Sequence, residues 1–371
     1  MTDVCKISLD IIKAYLSNKE YLNPLTEEEC KEVFTLLQKH DLGHLAGIVM
    51  PNCAYPFLVR SQYIAAFKYE EFNYEKQRIY QVFEENSIKF IPLKGAVIDK
   101  WYVEPWHRSR SDIDIIVPEE DLERASNALV KSLGYTKKDK LNNHDLQMYS
   151  PKGVHLELHY DFYDVGISAK NAMEYTVSIT KNQYSFSPDF FVLYHIAHMA
   201  KHFRHGGCGI RALIDLFLIR KNLETDKEKL DKLLINYKLK KFAESMFELT
   251  DVWFCDKESN KFYDKLTEYI AFGGVYGTLK NRVLVEQTQQ NGKVGYMLSR
   301  IFIKNDILKF QYPVLQKHAW LYPFCQAARW VNILTTKRFY KVKKEYRENK
   351  KINKLQESEI AYILNELELL D

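Results

Sequence analysis

Asp112 and Asp114 are the residues whose spacing first suggests chemistry. They stand in RSRSDIDIIV (Arg108 to Val117), a β-branched, alternating stretch that predicts a strand. Successive side chains of a strand point to opposite faces, so both aspartates fall on one face and Ile113, Ile115 and Val117 on the other. Two ionised carboxylates side by side repel, and a fold tolerates them most readily with cations between them. That arrangement chelates Mg²⁺. VHLELHY (Val154 to Tyr160) repeats the logic, with Val154, Leu156, Leu158 and Tyr160 as an apolar face and His155, Glu157 and His159 as a polar one. Glu157 is the natural third carboxylate. The same polar face, two imidazoles and a carboxylate, also reads as a zinc donor set, but the aspartate pair makes a hard-cation site and imidazole is not a preferred Mg²⁺ ligand.

The elements around these strands alternate. Lys89 to Leu93 predicts a short strand, Gly95 to Tyr102 a helix, Asp112 to Val117 the acidic strand, and Glu119 to Leu133 an amphipathic helix closed by Gly134. Gln147 to Ser150 and Val154 to Tyr160 flank Pro151-Lys152-Gly153 and predict a hairpin. The result is an α+β core, a small mixed sheet with helices on one side. The loop from Val103 to Ser111 is expected to deliver Arg108 and Arg110 to the mouth of the acidic strand.

With KFIPLKG (Lys89 to Gly95) placed before it and a third acid after it, the D-x-D strand resembles the polymerase-β-type nucleotidyltransferase core. More narrowly, Leu93-Lys94-Gly95, then R-x-x-x-D-I-D-I from Arg108, then Glu157-Leu158-His159 resembles a bacterial subfamily of largely uncharacterised nucleotidyltransferases. The usual Gly-Ser or Gly-Gly of the superfamily is Gly95-Ala96 here, preceded by Lys94. The resemblance implies that Lys94 and backbone N–H groups at Gly95 hold phosphates, since no serine hydroxyl follows the glycine. It extends to KHFRHGGCGIRALIDL (Lys201 to Leu216), which implies that Lys201 and His202 face the cleft with Arg211 and Asp215 on the next helix. Asp215 is alternatively the ion-pair partner of Arg211 alone.

Nucleotidyl transfer asks the protein for positioning and charge neutralisation. The expected cofactor is Mg²⁺, two ions about 3.5–4 Å apart, held by Asp112, Asp114 and Glu157. Both aspartates are expected to bind both ions, and Glu157 the one at the nucleophile. Lys94, Arg108 and Arg110 are candidate phosphate cations, with ordinary surface charge the alternative, above all for Arg110. His159 is expected to orient Glu157 or to touch substrate. His195, His198, His202 and His205 fall within roughly 80° of one helix face and read as a partly buried polar face.

Length and composition set the frame. The 371 residues suggest two or three domains, and 46% hydrophobic residues make the chain globular. We read a helical N-terminal region over 1–86, a nucleotidyltransferase core over 87–185, a helical domain closing the cleft over 186–335, and a basic segment with an acidic amphipathic tail over 336–371. Thr26 and Glu29 form a capping box before one N-terminal helix, and Phe57 to Asn86 predicts one long helix. Six scattered cysteines, without a signal-peptide pattern or a membrane-length apolar run, point to a cytoplasmic protein. A net charge of +4 argues against a whole-surface nucleic-acid binder. Lys337 to Lys354 is locally basic, nine Lys or Arg against two Glu, and reads first as a solvated helix balancing the acidic tail. Interleaved Phe339, Tyr340 and Tyr346 leave a nucleic-acid or membrane-surface contact open.

The function read from these features is Mg²⁺-dependent transfer of a nucleoside monophosphate from an NTP to an acceptor hydroxyl or phosphate, with release of pyrophosphate. A small molecule, sugar or protein is the expected acceptor. The alternatives are a non-catalytic nucleotide-binding or scaffolding member of the fold, and template-independent transfer to RNA.

Overall fold

A computed structural model describes residues 2–50, 55–138, 144–162, 167–275, 277–336 and 338–370. The chain divides into two compact units, Met1–Lys201 with Gly209–Val275, and His202–Cys208 with Tyr276–Asp371.

The first unit opens with α1 (Asp3–Leu16), α2 (Glu27–Gln38), α3 (Gly43–Val49) and the thirty-residue α4 (Pro56–Glu85). The Thr26 hydroxyl caps the Glu29 N–H, and the Glu29 carboxylate accepts from the Thr26 N–H, so the start of α2 leaves neither donor unpaired. The second half of α4 buries Phe72, Ile79, Val82 and Phe83, while Val59, Tyr63, Ile64 and Phe67 on its first half stay exposed.

Next come β1 (Ile91–Pro92), α5 (Gly95–Ile98), β2 (Ile113–Ile116), α6 (Leu122–Leu133), β3 (Thr136–Lys137), β4 (Asp145–Tyr149) and β5 (His155–His159). Their sheet has the order β1-β2-β5-β4-β3. β2 lies between antiparallel β1 and parallel β5, and β5 pairs antiparallel with β4 across the expected hairpin. The α+β reading of the sequence matches this small mixed sheet among helices. One face of the sheet is apolar because Ile113, Ile115, Met148, Leu156 and Leu158 all point to it. They form one core with Phe72, Ile79 and Phe83 of α4 and Ala125 and Leu129 of α6. Gly134, at φ 71°, ends α6 in the left-handed conformation that glycine adopts without strain.

The helix expected from Gly95 to Tyr102 is shorter: α5 stops at Ile98, and Asp99–Trp101 tighten into a 3-10 turn. The turn buries Asp99, which takes an ion pair from Arg110 and lies 3.8 Å from the Lys76 ammonium. The unit continues through α7 (Ala169–Met173), the hairpin of β6 (Thr176–Ser178) and β7 (Tyr184–Phe186), α8 (Pro188–Arg204), α9 (Ile210–Asn222), α10 (Lys227–Asn236), α11 (Lys240–Phe254) and α12 (Lys261–Gly273).

The second unit holds α13 (Leu279–Gln289), α14 (Lys293–Ile301), α15 (Asn305–Gln311), α16 (Tyr322–Thr335), α17 (Arg338–Lys351) and α18 (Lys354–Glu366). α13 packs on α17 and α18, and Arg282 of α13 pairs with Glu345 of α17 at 2.5 Å. The basic segment is thus largely α17, with Lys337 outside the described residues. Among the described residues no helix is long and apolar enough to cross a membrane.

Candidate active site

The sheet builds the site on the face opposite its core. Parallel pairing of β2 with β5 sets Asp114 directly beside Glu157, and antiparallel pairing of β4 with β5 sets Asp145 beside His159 and Tyr149 beside His155. Asp112 precedes β2 by one residue and comes close enough to join the group. Ligand atoms of Asp112, His155 and Glu157 lie within 4.8 Å of one another, as do those of Asp114, Glu157 and His159. Glu157 belongs to both sets. The structure therefore brings together Asp112, Asp114, Glu157 and His159.

The charges within this cluster are unequally satisfied. Lys94 Nζ donates to Asp114 Oδ1 at 2.7 Å, and His159 Nε2 stands 2.9 Å from the same oxygen. A carboxylate oxygen only accepts, so the contact is a hydrogen bond when Nε2 carries the proton. Burial pushes the Asp114 carboxyl up, but the Lys94 ammonium and His159 more than reverse this and hold it well below the usual carboxylate range. Burial and the Asp114 charge push Glu157 up to about 7, and the same two causes raise Asp112. One acid is firmly ionised and two are held back by desolvation and like charge. A divalent cation among them relieves that conflict.

His159 is buried and lies nearer Asp114 than Glu157, 2.9 Å against 3.6 Å, so it supports the aspartate more closely than the glutamate. His144 stacks on it with ring centroids 5.9 Å apart, and His155 stacks on Tyr149 at 4.8 Å.

Both arginines expected to serve the acidic strand are instead committed to carboxylates outside the acid cluster. Arg108 donates to Asp215 from Nε at 2.9 Å and from Nη2 at 2.7 Å, and Tyr102 donates its hydroxyl to the same carboxylate at 2.7 Å. Asp215 is thus the partner of Arg108, whereas Arg211 pairs with Asp41 at 3.1 Å and donates to the Ser109 carbonyl at 3.1 Å. Arg110 turns to Asp99 and lies over the Tyr69 ring, 5.2 Å from its centroid. The remaining Arg108 nitrogen, Nη1, rests against Gly95, where any Cβ would collide with it. The N–H groups of Ala96 and Val97 donate to the Leu93 and Lys94 carbonyls, both at 3.1 Å. Gly95 thus makes room for an arginine here. Lys201 and His202 both lie in the last turn of α8, with the division between the two units falling between them.

Asp99, Asp41 and Tyr102 escaped the sequence reading. Each acts as a partner of an arginine or of another partner, and no spacing rule links them to it across the chain. Burial of Asp99 and Tyr102 is the only signal that marks them, and it belongs to the fold.

A family described as uncharacterised nucleotidyltransferase matches residues 49–255, more than half of the chain and the whole acid cluster. The chain belongs to that family. It is a nucleotidyltransferase, an enzyme that moves a nucleoside monophosphate. Two solved structures resemble part of the nucleotidyltransferase. The solution structure of the antibiotic-resistance factor ANT(2'')-Ia is 15% identical and covers 46% of this chain and 94% of its own, with a TM-score of 0.34. The crystal structure of ANT(2")-Ia in complex with adenylyl-2"-tobramycin is 15% identical and covers 44% and 94%, with a TM-score of 0.31. No curated protein matches.

Proposed function

We propose that the enzyme transfers a nucleoside monophosphate from an NTP to an acceptor hydroxyl or phosphate in the presence of Mg²⁺, and that Asp112, Asp114 and Glu157 hold the metal. The observation that carries this reading is the convergence of three carboxylates on one sheet face with Glu157 pushed up to about 7 by burial and by Asp114. The donor set fits a hard cation, because each group offers two carboxylates to one imidazole and the ligand common to both, Glu157, is a carboxylate. Bound there, the metal supplies Lewis-acid activation of the acceptor oxygen and neutralises phosphate charge.

In the reaction the acceptor oxygen bonds to the α-phosphorus, the bond from that phosphorus to the β-phosphate oxygen breaks, and pyrophosphate leaves. The acceptor's proton goes to solvent. Lys94 keeps Asp114 ionised and presents an ammonium at the phosphate-facing edge of the cluster. His159 donates to Asp114 and fixes its orientation. Asp112, two residues before Asp114, and Glu157, paired beside it on β5, complete the acid set.

Calorimetric titration of ATP, GTP, CTP and UTP, first with Mg²⁺ and then with EDTA, tests the metal dependence. Binding should require the metal, and equal affinity in EDTA would overturn the assignment of the three acids. Glu157→Gln should leave nucleotide affinity within about threefold and remove turnover, whereas Asp114→Asn should remove both. Thermal melting of each variant checks that the fold is intact.

A further inference from the structure

A cavity of about 620 Å³ is walled by α2, α3, α4 and the Arg108–Ser111 loop that leads into the acidic strand. Its size suits a small ligand. Ser111, the last loop residue in its wall, directly precedes Asp112, and consecutive Cα atoms are about 3.8 Å apart. Arg108 forms another part of the wall and touches Gly95 with Nη1. The cavity and the acid cluster thus share one structural element, the loop that runs from Arg108 into Asp112.

We propose that this cavity is the acceptor subsite and that the acceptor is an anion-bearing molecule with a flat apolar body. The acceptor role rests on the acid cluster being the transfer site; the ligand chemistry rests on the cavity alone.

Aromatic rings line the chamber: Phe34 and Phe57 meet edge to face with centroids 5.1 Å apart, and Tyr69 and Phe72 continue the wall along α4. Flat apolar bodies stack on such surfaces. The loop side is fixed before any ligand arrives. Arg108 is tied to Asp215 and Arg110 to Asp99, and Ser109 donates its hydroxyl to the Asp41 carbonyl at 2.6 Å. These two arginines are already neutralised. Asp41, the one carboxylate among the described lining residues, is likewise neutralised by Arg211.

Arg60 and Lys68 differ. Both line the cavity from exposed positions on α4, and neither has an ion-pair or hydrogen-bond partner among the described residues. Two uncompensated cations at the rim of an aromatic chamber attract a carboxylate, sulfonate or phosphate and repel a polycationic acceptor. A plain sugar lacks the charge that these two cations would meet.

Two dyes test the proposal on the full chain: anilinonaphthalene sulfonate, aromatic and anionic, and N-phenylnaphthylamine, its neutral counterpart. The sulfonate should bind, and Arg60→Glu with Lys68→Glu, both exposed, should weaken it about tenfold while shifting the neutral dye less than about twofold. Ala65→Trp, which fills the chamber, should abolish both signals. Tyr63→Ser, on the exposed face of α4 outside the chamber, should change neither. Loss of dye binding in Tyr63→Ser with retention in Ala65→Trp would assign the dyes to the exposed helix face and overturn the site. Displacement of the sulfonate by Mg²⁺ with a non-hydrolysable NTP would give the chamber to the nucleotide and overturn the acceptor role. A wild-type chain that binds the dyes as described but no NTP refutes the transfer reading and removes the acceptor role, while the binding site stands.

Discussion

Replacing Arg108 with methionine should unfold the protein more readily and affect nucleotide binding only secondarily. Arg108 and Asp215 are both buried and share two charge-assisted hydrogen bonds of 2.9 Å and 2.7 Å. Burial pushes the Asp215 carboxyl up, and Arg108 more than compensates, holding it below its ordinary range. Remove the guanidinium and the carboxylate keeps one Tyr102 hydroxyl bond against the full cost of burial. Breaking a buried pair from one side costs about 3–5 kcal/mol, and a charge-assisted hydrogen bond alone about 1.5–3. We therefore expect Arg108→Met to lose about 3–5 kcal/mol in urea denaturation followed by circular dichroism. Asp215→Leu should lose a similar amount, because it strands the guanidinium. The double variant Arg108→Met/Asp215→Leu leaves no orphaned charge and should recover most of the loss, giving a coupling of at least about 2 kcal/mol in the cycle. If Arg108→Met cost less than about 1 kcal/mol and instead weakened Mg²⁺-dependent nucleotide binding more than tenfold, Arg108 would serve the phosphates and the structural role argued here would be refuted.

Two further outcomes follow from side-chain placement. Lys94→Ala should weaken nucleotide binding about tenfold or more, while Arg110→Ala, whose guanidinium is committed to Asp99, should change it less than about twofold; calorimetry with Mg²⁺ separates them, and equal small effects would remove Lys94 from the phosphate site. Burial holds His40, His44 and His107 at about 4, below the ordinary 6.5, so the unfolded chain binds protons between these values that the folded chain refuses. Their stabilisation is complete above about pH 6.5 and is lost as pH falls toward 4, up to about 3 kcal/mol per histidine, so the melting temperature should drop steeply across that window and His44→Gln should flatten the slope.

The strands and the acid cluster were legible because they depend on local patterns. D-I-D-I alternates, H-L-E-L-H alternates, and Pro151-Lys152-Gly153 marks the turn that returns one strand on another, closed by the Ser150 N–H donating to the Val154 carbonyl at 2.9 Å. A period of two is enough to say which side chains share a face. Partner choice was not legible. Arg108 finds Asp215, 107 residues away, and Arg110 finds Asp99 inside a turn that reads as continuous helix. Both outcomes depend on which buried carboxylate lies nearest after the helices pack, and spacing carries no information about that. The cavity was invisible for the same reason, since its wall combines α2, α4 and a loop well beyond them in the chain. A run such as Arg60, Ile64 and Lys68 reads as an ordinary helix surface until the other walls are known.

Lys94 links the legible part to the hidden part. Its φ of 45° and ψ of −116° suit the first corner of a type II′ turn, a conformation that glycine takes freely and lysine takes at a cost of about 1–3 kcal/mol. What holds it there is one partner approached twice. The Leu93 N–H donates to the Asp114 carbonyl at 3.0 Å, and the next residue sends its ammonium to the Asp114 carboxylate at 2.7 Å. A glycine at 94 would relax the backbone and leave Asp114 with His159 alone. The strained lysine therefore sets the charge of the cluster: three carboxylates against one ammonium leave two negative charges uncompensated once Asp112 and Glu157 ionise. That charge matches one divalent cation held by protein groups, while a second needs the negative charge of a triphosphate beside it. Mn²⁺ counted by electron paramagnetic resonance should bind in one equivalent to the protein alone and in two when a non-hydrolysable NTP is added. Two equivalents without nucleotide would mean that Lys94 leaves the cluster, and the charge count built on it would fail.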